Sequence, residues 1–166
     1  MGQSFGGWLA AALAVGNPER VRKLVLIAPA GLQRQGVDVP DLFVLSPEQW
    51  AQAMLHDERL VAEAGAQRPG REQLERQLRD RATLARLAWN PYLHDPQLPH
   101  WLHRAQVPTL LVWGREDRFL PLSLAETWQQ HLPRARLAVL DRAGHLPQVE
   151  QAEATARLVT EFLAEA

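Results

Sequence analysis

The sequence contains no cysteine and only one lysine, Lys23, among its 166 residues. The lack of cysteine excludes a disulfide framework, a thiolate nucleophile and any zinc site that needs sulfur ligands. An excess of charge is also missing, because 18 Lys and Arg face 19 Asp and Glu, which gives a formal net charge of −1. Without a basic excess the chain has no general attraction for phosphates. We therefore expect no nucleic-acid partner and no anionic membrane partner.

Long hydrophobic runs are missing as well. A membrane-spanning helix needs about 20 consecutive apolar residues, and the apolar segment 8–16 is much shorter. That segment also lacks the preceding basic residues of a signal peptide, since the first arginine is Arg20. These absences predict a cytoplasmic protein without a membrane anchor.

Three short apolar runs, 23–28, 109–113 and 136–140, predict β-strands. Runs without polar alternation, bounded by Pro or Gly, are typical of strands that are buried on both faces of a parallel sheet. Helical patterns cover 4–15 and 122–131, and a C-terminal helix is predicted from an apolar stripe. The stripe consists of Val149, Ala152, Ala156, Val159 and Leu163. The order of these elements predicts an α/β fold.

A long insertion separates the first two predicted strands. Its segment 46–49, with the sequence SPEQ, reads as a capping box with Pro at the first helical position. A longer helix is predicted over 71–89, and Leu74, Leu78, Ala85 and Ala88 share one of its faces. We divide the chain into 1–31 and 107–166, which form an α/β core, and a helical insertion over 32–106.

The chain opens on residues 2–7, with the sequence GQSFGG, which lead directly into a predicted helix. Glycines at positions 2 and 6 around Ser4 fit a sharp strand-to-helix turn, where we expect a Cβ at either position to collide with neighbouring backbone. Such a turn exposes Ser4 Oγ and directs the N-terminus of the helix at a reacting oxygen. The pattern alone is equally compatible with a flexible N-terminal tail.

A serine nucleophile needs a base within hydrogen-bond reach, and the base needs a carboxylate to hold its tautomer. Asp117 follows the second predicted strand and His145 follows the third, and the carboxyl ends of parallel strands meet at one edge of a sheet. The chain order Ser, Asp, His is that of one hydrolase architecture. Glu116 and Asp141 are rival acids. Asp117 is preferred, because Glu116 would point the opposite way and Asp141 lies too near His145 in sequence.

On these residues the chain resembles the later portion of an α/β-hydrolase-fold protein. Residues 2–7 resemble the nucleophile elbow, 107–121 the acid-bearing strand and loop, and 144–147 with Glu150 the histidine loop. The resemblance implies that 32–106 forms a helical cap over the active site and that no metal or organic cofactor is used. It implies that Phe5 N–H helps to stabilise the oxyanion. A serine at the elbow argues against the dehalogenase and epoxide-hydrolase branches, which use an aspartate there.

The chain departs from this family at its beginning. Family members have several strands before the elbow, and an early loop supplies a second oxyanion-hole N–H, whereas only Met1 precedes Gly2 here. We therefore expect a partial fold whose N-terminal strands are missing, from a fragment or a start at an internal methionine. Such a chain would fold poorly alone, because the strand before the elbow is absent. Its exposed sheet edge would allow self-association.

The expected activity is hydrolysis of a small, mainly apolar ester or related acyl substrate. A C–C bond hydrolase of dienone-type ring-cleavage products and an acyltransferase are alternatives on the same triad. A catalytically silent fragment or interaction module is the alternative from another class. The sequence does not separate them, because cap shape and acceptor access set the bond that is cleaved.

The remaining polar and aromatic clusters predict no further site. His94, His100 and His103 lie close together in sequence, but a metal site needs convergent ligands with supporting hydrogen bonds. We interpret them as loop and helix-surface residues. The six tryptophans, which include Trp50, Trp89 and Trp101, are expected mostly to pack in the core or the cap, with one or two lining an apolar acyl pocket.

Overall fold

The computed structural model describes residues 1–165 and contains one parallel sheet of four strands, in the order β1-β2-β3-β4. The strands are β1 (Gly2–Gln3), β2 (Leu24–Ile27), β3 (Thr109–Gly114) and β4 (Ala135–Leu140). Each pair of neighbouring strands is parallel, so their carboxyl ends lie at the same edge of the sheet. The predicted parallel α/β architecture is confirmed. The expected absence of a strand before Ser4 is wrong, because Gly2 and Gln3 form the short strand β1, which pairs with β2 and leads directly into Ser4.

Helices connect the strands and cover the sheet. They are α1 (Phe5–Gly16), α2 (Pro47–Met54), α3 (Glu58–Ala66), α4 (Arg71–Ala88), α5 (Leu98–Trp101), α6 (Ser123–His131), α7 (Pro147–Glu150) and α8 (Ala152–Ala164). Single 3-10 turns cover Pro18–Arg20 and Leu102–Arg104. Helices α2 to α5 lie within the helical insertion 32–106. The division of the chain at residues 31 and 106 stays a prediction.

The two faces of the sheet pack against different helices. On one face Leu26 and Trp113 join the main core, which also contains residues of α1, α6 and the helical insertion. On the other face Val25 and Val112 pack with Phe162 of α8. All six residues of β3 are buried, as expected for a central strand of a covered parallel sheet.

The C-terminal helix packs through a different stripe from the predicted one. Its buried and partly buried residues are Ala154, Thr155, Leu158, Val159 and Phe162. Val149, Ala152, Ala156 and Leu163 are exposed, so the predicted stripe is wrong except at Val159. The reason is a break at Gln151, which separates α7 from α8 and lets Phe162 set the phase of α8. Lys23 Nζ donates to the carbonyl oxygen of Phe162 at 2.9 Å and caps the end of the helix.

Helix α2 begins with the predicted capping box. Gln49 N donates to Ser46 Oγ at 3.2 Å, and Ser46 N donates to Gln49 Oε1 at 2.9 Å. Pro47 occupies the first helical position, where its missing N–H costs no intrahelical bond. The local sequence therefore determines where the first helix of the insertion begins.

Helix α4 forms where the sequence predicts it but packs less than expected. Leu74 is 46% exposed and Leu78 is 58% exposed, and the helix buries Ala88 near its C-terminal end. The tryptophans of the insertion behave in the same way. Trp50, Trp89 and Trp101 are between 41% and 56% exposed. Trp89 still packs within the insertion, with 5.0 Å between its ring centroid and that of Phe43, and Trp113 and Trp128 are buried in the core as expected.

Over residues 1–165, the helices include none with the length and apolar character that crossing a membrane requires.

Candidate active site

Ser4 lies in a strained turn between β1 and α1. Its φ of 51° and ψ of −122° place a residue with a Cβ on the left-handed side of conformational space, which costs about 1–3 kcal/mol. Hydrogen bonds hold the turn on both sides. Ser4 N donates to Ile27 O at 2.9 Å, and Ala30 N donates to Ser4 O at 3.1 Å. The bonds to the end of β2 therefore offset the strain and fix the direction of the serine side chain.

The collision predicted for a Cβ near Ser4 is found at Gly2 but not at Gly6. A Cβ on Gly2 would lie 2.1 Å from Gly6 O, so this position requires glycine. A Cβ on Gly6 would meet no atom of the described chain within 4 Å, so the expected collision at Gly6 is wrong. The second crowded position is Gly7, where a Cβ would lie 2.8 Å from Pro29 Cβ. Gly6 crowds the turn through its carbonyl group, whereas Gly7 packs directly on the segment after β2.

Asp117 lies in the loop after β3 and is 6% exposed. Its Oδ1 accepts hydrogen bonds from Phe119 N at 2.9 Å and Leu120 N at 2.8 Å. Trp113 Nε1 donates to Leu120 O at 2.8 Å, which ties this loop to the buried end of β3. One carboxylate oxygen of Asp117 is therefore fixed by its own loop, and Oδ2 faces away from it.

His145 lies in the loop after β4, is 2% exposed and contacts both other predicted site residues. Its Nδ1 is 2.8 Å from Asp117 Oδ2, and its Nε2 is 2.9 Å from Ser4 Oγ. The imidazole ring packs edge-on against Phe119, with 4.9 Å between the ring centroids. Three residues far apart in sequence are thus joined by one continuous chain of hydrogen bonds.

Two hydrogen bonds to the backbone groups of His145 hold this residue in place. His145 N donates to Met54 O at 2.9 Å, and Gln3 Nε2 donates to His145 O at 3.2 Å. The first bond comes from the end of α2 and the second from the residue before Ser4. Neither contact was predicted from the sequence, because each joins segments that only the folded chain brings together.

The two rival acids are engaged elsewhere. Glu116 Oε2 accepts from Ala143 N at 3.0 Å. Asp141 pairs with Arg115 on the surface, and this hydrogen bond raises the pKa of the Arg115 guanidinium. In the described part of the chain neither carboxylate contacts His145.

Glu150 joins the histidine loop to the helical insertion. Its Oε1 accepts from His56 N at 2.6 Å and from Asp57 N at 2.8 Å, and its Oε2 accepts from Gly144 N at 2.6 Å. The sequence placed Glu150 in the histidine-loop motif but did not indicate this bridge.

Phe5, the residue expected to help stabilise an oxyanion, is the first residue of α1 and directly follows Ser4. The first N–H groups of a helix have no intrahelical partner, and the Phe5 N–H is one of them.

The histidines of the insertion do not form a metal centre. His94 Nδ1 is 3.0 Å from Tyr92 O, a contact within its own loop. Across residues 1–165, no group of three or more His, Asp or Glu residues is arranged to hold a metal ion.

The fold and the site together define a class of protein. A serine in a strained strand-to-helix turn, a buried histidine and a carboxylate, each after a parallel strand and in the order Ser, Asp, His, are characteristic of α/β hydrolases. The family model for the alpha/beta hydrolase fold matches residues 1–152. The chain belongs to the α/β-hydrolase fold family.

Curated proteins of known name are similar to this chain over almost its whole length. The chain is 36% identical to a 2-hydroxymuconate semialdehyde hydrolase of Pseudomonas putida, over 100% of this chain and 62% of that protein. It is 33% identical to a 2-hydroxy-6-oxononadienedioate/2-hydroxy-6-oxononatrienedioate hydrolase of Burkholderia vietnamiensis, over 98% of this chain and 61% of that protein. The chain thus spans about 62% of the length of such relatives. Both relatives are named as hydrolases.

Solved structures show the same fold. The 2-hydroxy-6-oxo-6-phenylhexa-2,4-dienoate hydrolase from Rhodococcus sp. strain RHA1 superposes with a TM-score of 0.74 and 26% identity, covering 99% of this chain and 63% of that chain. A bacterial membrane phospholipase A superposes with a TM-score of 0.71 and 27% identity, covering 98% of this chain and 55% of that chain. The similarities therefore extend to hydrolases that act on different bonds.

Proposed function

We propose that this chain carries the catalytic triad of a C–C bond hydrolase that acts on dienone-type ring-cleavage products. Ser4 is the nucleophile, His145 the general base and Asp117 the residue that orients His145. The observation that carries this proposal is the continuous hydrogen-bond chain of 2.9 Å from Ser4 Oγ to His145 Nε2 and 2.8 Å from His145 Nδ1 to Asp117 Oδ2. The dienoate hydrolases among the relatives support the choice of bond.

The reaction begins with attack of Ser4 Oγ on the 6-oxo carbonyl carbon of a 2-hydroxy-6-oxo-dienoate. His145 Nε2 takes the hydroxyl proton, and the Asp117 carboxylate stabilises the imidazolium that forms. Negative charge develops on the carbonyl oxygen in front of the N-terminus of α1. There the Phe5 N–H supplies one hydrogen bond, and the helix dipole favours the charge.

Cleavage of a C–C bond requires a carbon that can accept the bonding electron pair. The substrate reacts as its keto tautomer, in which the proton of the 2-hydroxyl group has moved to carbon 5 and a double bond joins carbons 3 and 4. When the bond between carbons 5 and 6 breaks, its electron pair passes from carbon 5 through this double bond to the 2-keto group and forms a dienolate. His145 returns its proton to this leaving group, and the acyl group stays on Ser4. A water molecule that gives a proton to His145 then attacks the acyl group, and His145 passes that proton to Ser4 Oγ as the carboxylic acid leaves. The net change is the addition of one water across the C–C bond.

The helical insertion is proposed as the cap of this site. The end of α2 lies against the histidine loop, since His145 N donates to Met54 O at 2.9 Å. A Cβ on Gly144 would lie 2.8 Å from Met54 O, so the two segments pack without space for a side chain between them. The insertion therefore contributes to the walls beside His145, where it can select the substrate.

Ester hydrolysis on the same triad is the second candidate function. The similarity to a membrane phospholipase A, at 27% identity, favours it. An alkoxide leaving group needs no conjugated carbon, so the same attack by Ser4 would cleave an ester. The two candidates differ in the leaving group and share every residue named above.

The test compares both substrate classes in the natural protein. We expect a higher kcat/KM for a 2-hydroxy-6-oxo-dienoate than for a short-chain aryl ester. Ser4→Ala should lower kcat on the preferred substrate by about 10⁴-fold or more, because the triad acts as a unit. Ser123→Ala, at the start of α6, is the matched control and should leave kcat unchanged. Full turnover by Ser4→Ala would contradict the triad, and a preference for the ester would move the assignment to the second candidate.

A further inference from the structure

One carboxylate connects the histidine loop to a distant segment of the helical insertion. Glu150 Oε1 binds His56 N and Asp57 N of the helical insertion, with sequence separations of 94 and 93 residues. Glu150 Oε2 binds Gly144 N, the amide immediately before His145. All three bonds are between 2.6 and 2.8 Å long, as expected for N–H groups that donate to a charged acceptor.

The same two segments also meet directly at His145. The next amide of the loop, His145 N, donates to Met54 O. A Cβ on Gly144 would lie 2.8 Å from Met54 O and 3.1 Å from His56 N, so the backbones pack closely here. A shift of the insertion segment 54–57 is therefore transmitted to the backbone of His145.

We propose that Glu150 is a positioning residue that couples the seating of segment 54–57 to the placement of the His145 ring against Ser4. The inference rests on the proposed function, because the placement matters through the proton transfer between these two residues. A carboxylate suits this role, since its two oxygens accept from both segments at once. A glutamine would present an NH₂ group to one of them and lose that connection.

Glu116, in the loop after β3, provides a comparison because it also binds the histidine loop. Its Oε2 accepts from Ala143 N at 3.0 Å, next to the amide that Glu150 binds. In the described residues Glu116 makes no side-chain hydrogen bond to segment 54–57. Glu116→Gln thus changes a carboxylate that binds the histidine loop from the loop after β3, and it leaves the connection to the insertion in place.

The experiment measures Glu150→Gln, Glu116→Gln and the exposed Glu153→Gln in the natural protein. Amide hydrogen exchange of peptides covering 52–60 and 141–148 reports the two segments, and the rate of fluorophosphonate labelling of Ser4 reports its activation. Glu150→Gln should speed exchange in both peptides and slow labelling about tenfold, as displacement of a catalytic group does. Glu116→Gln should speed exchange in 141–148 alone. Glu153→Gln should match the wild type in exchange and labelling.

Two results for the glutamine variant would overturn the coupling. One is unchanged labelling in Glu150→Gln, and the other is faster exchange confined to 141–148. Glu150→Asp keeps the charge on a shorter side chain and covers the case in which the glutamine variant fails to fold. A labelling rate equal to that of the wild type in Glu150→Asp would also overturn the coupling. Absence of Ser4 labelling in the wild type would instead contradict the proposed function, and the exchange comparison would still test the connection.

Discussion

Replacement of Asp117 by Asn tests how His145 is oriented. Asp117 Oδ1 accepts two buried loop amides, those of Phe119 and Leu120, while Oδ2 faces His145 Nδ1 at 2.8 Å. An asparagine has one acceptor oxygen and one NH₂ donor in these two places. If the NH₂ group faced the loop, two buried N–H groups would lose their acceptor, at a cost of about 1–3 kcal/mol each. The oxygen therefore stays on the loop, and the NH₂ group faces His145.

This arrangement inverts the tautomer of His145. Nδ1 becomes the acceptor, the proton moves to Nε2, and Nε2 no longer accepts the proton of Ser4. In a serine-protease triad the same change lowers kcat about 10⁴-fold, which corresponds to about 5 kcal/mol of transition-state stabilisation. Because both loop bonds survive, the midpoint of thermal unfolding should change little in Asp117→Asn.

The assay measures kcat on the preferred substrate together with thermal unfolding of Asp117→Asn, Asp141→Asn and Glu116→Gln. Asp141 pairs with Arg115 on the surface, so Asp141→Asn should lower kcat far less than Asp117→Asn. A kcat within tenfold of the wild type for Asp117→Asn would refute the reasoning. A larger loss for Asp141→Asn would move the acid to that residue.

Three further substitutions test the packing around the site. Gly2→Ala should destabilise the protein by about 3 kcal/mol or more, because its Cβ would lie 2.1 Å from a backbone oxygen. Gly6→Ala should leave stability equal or raise it by up to about 1 kcal/mol, and chemical denaturation of both variants checks the contrast. Trp113→Phe leaves the buried Leu120 carbonyl without its donor, so unfolding should become easier by about 1–3 kcal/mol. Its kcat should fall as well, since Leu120 helps to hold Asp117, and a urea titration with an activity assay measures both effects.

The positions of Ser4, Asp117 and His145 could be predicted from the sequence for a local reason. Each follows an apolar run or a glycine that marks the end of a strand, and a parallel sheet brings such ends to one edge. Asp117 is preferred to Glu116 on the alternation of neighbouring side chains, and the two carboxylates do bind different groups, His145 Nδ1 and Ala143 N. The location of these three side chains therefore follows from short-range sequence patterns and from the rule that parallel strands end at one edge of the sheet.

The contacts of the helical insertion could not be predicted in this way. The exposure of Leu74 and Trp89 depends on what their helices pack against, which apolar periodicity does not specify. The bridge from Glu150 to His56 joins segments 94 residues apart, so no local pattern indicates it. Gly6 fits the glycine spacing of the turn, yet only the folded backbone shows that the crowding lies at Gly2 and Gly7.

Mapping the site of fluorophosphonate labelling in the natural protein tests the central claim most directly. We expect one modified peptide, which contains Ser4, and loss of that label when His145 is replaced by Ala. Prior incubation with an analogue of the carboxylic acid that the proposed reaction releases should slow the labelling, because the analogue occupies the space in front of Ser4. A label on Ser46 or Ser123, or undiminished labelling in His145→Ala, would contradict the assignment of Ser4 and His145 as nucleophile and base.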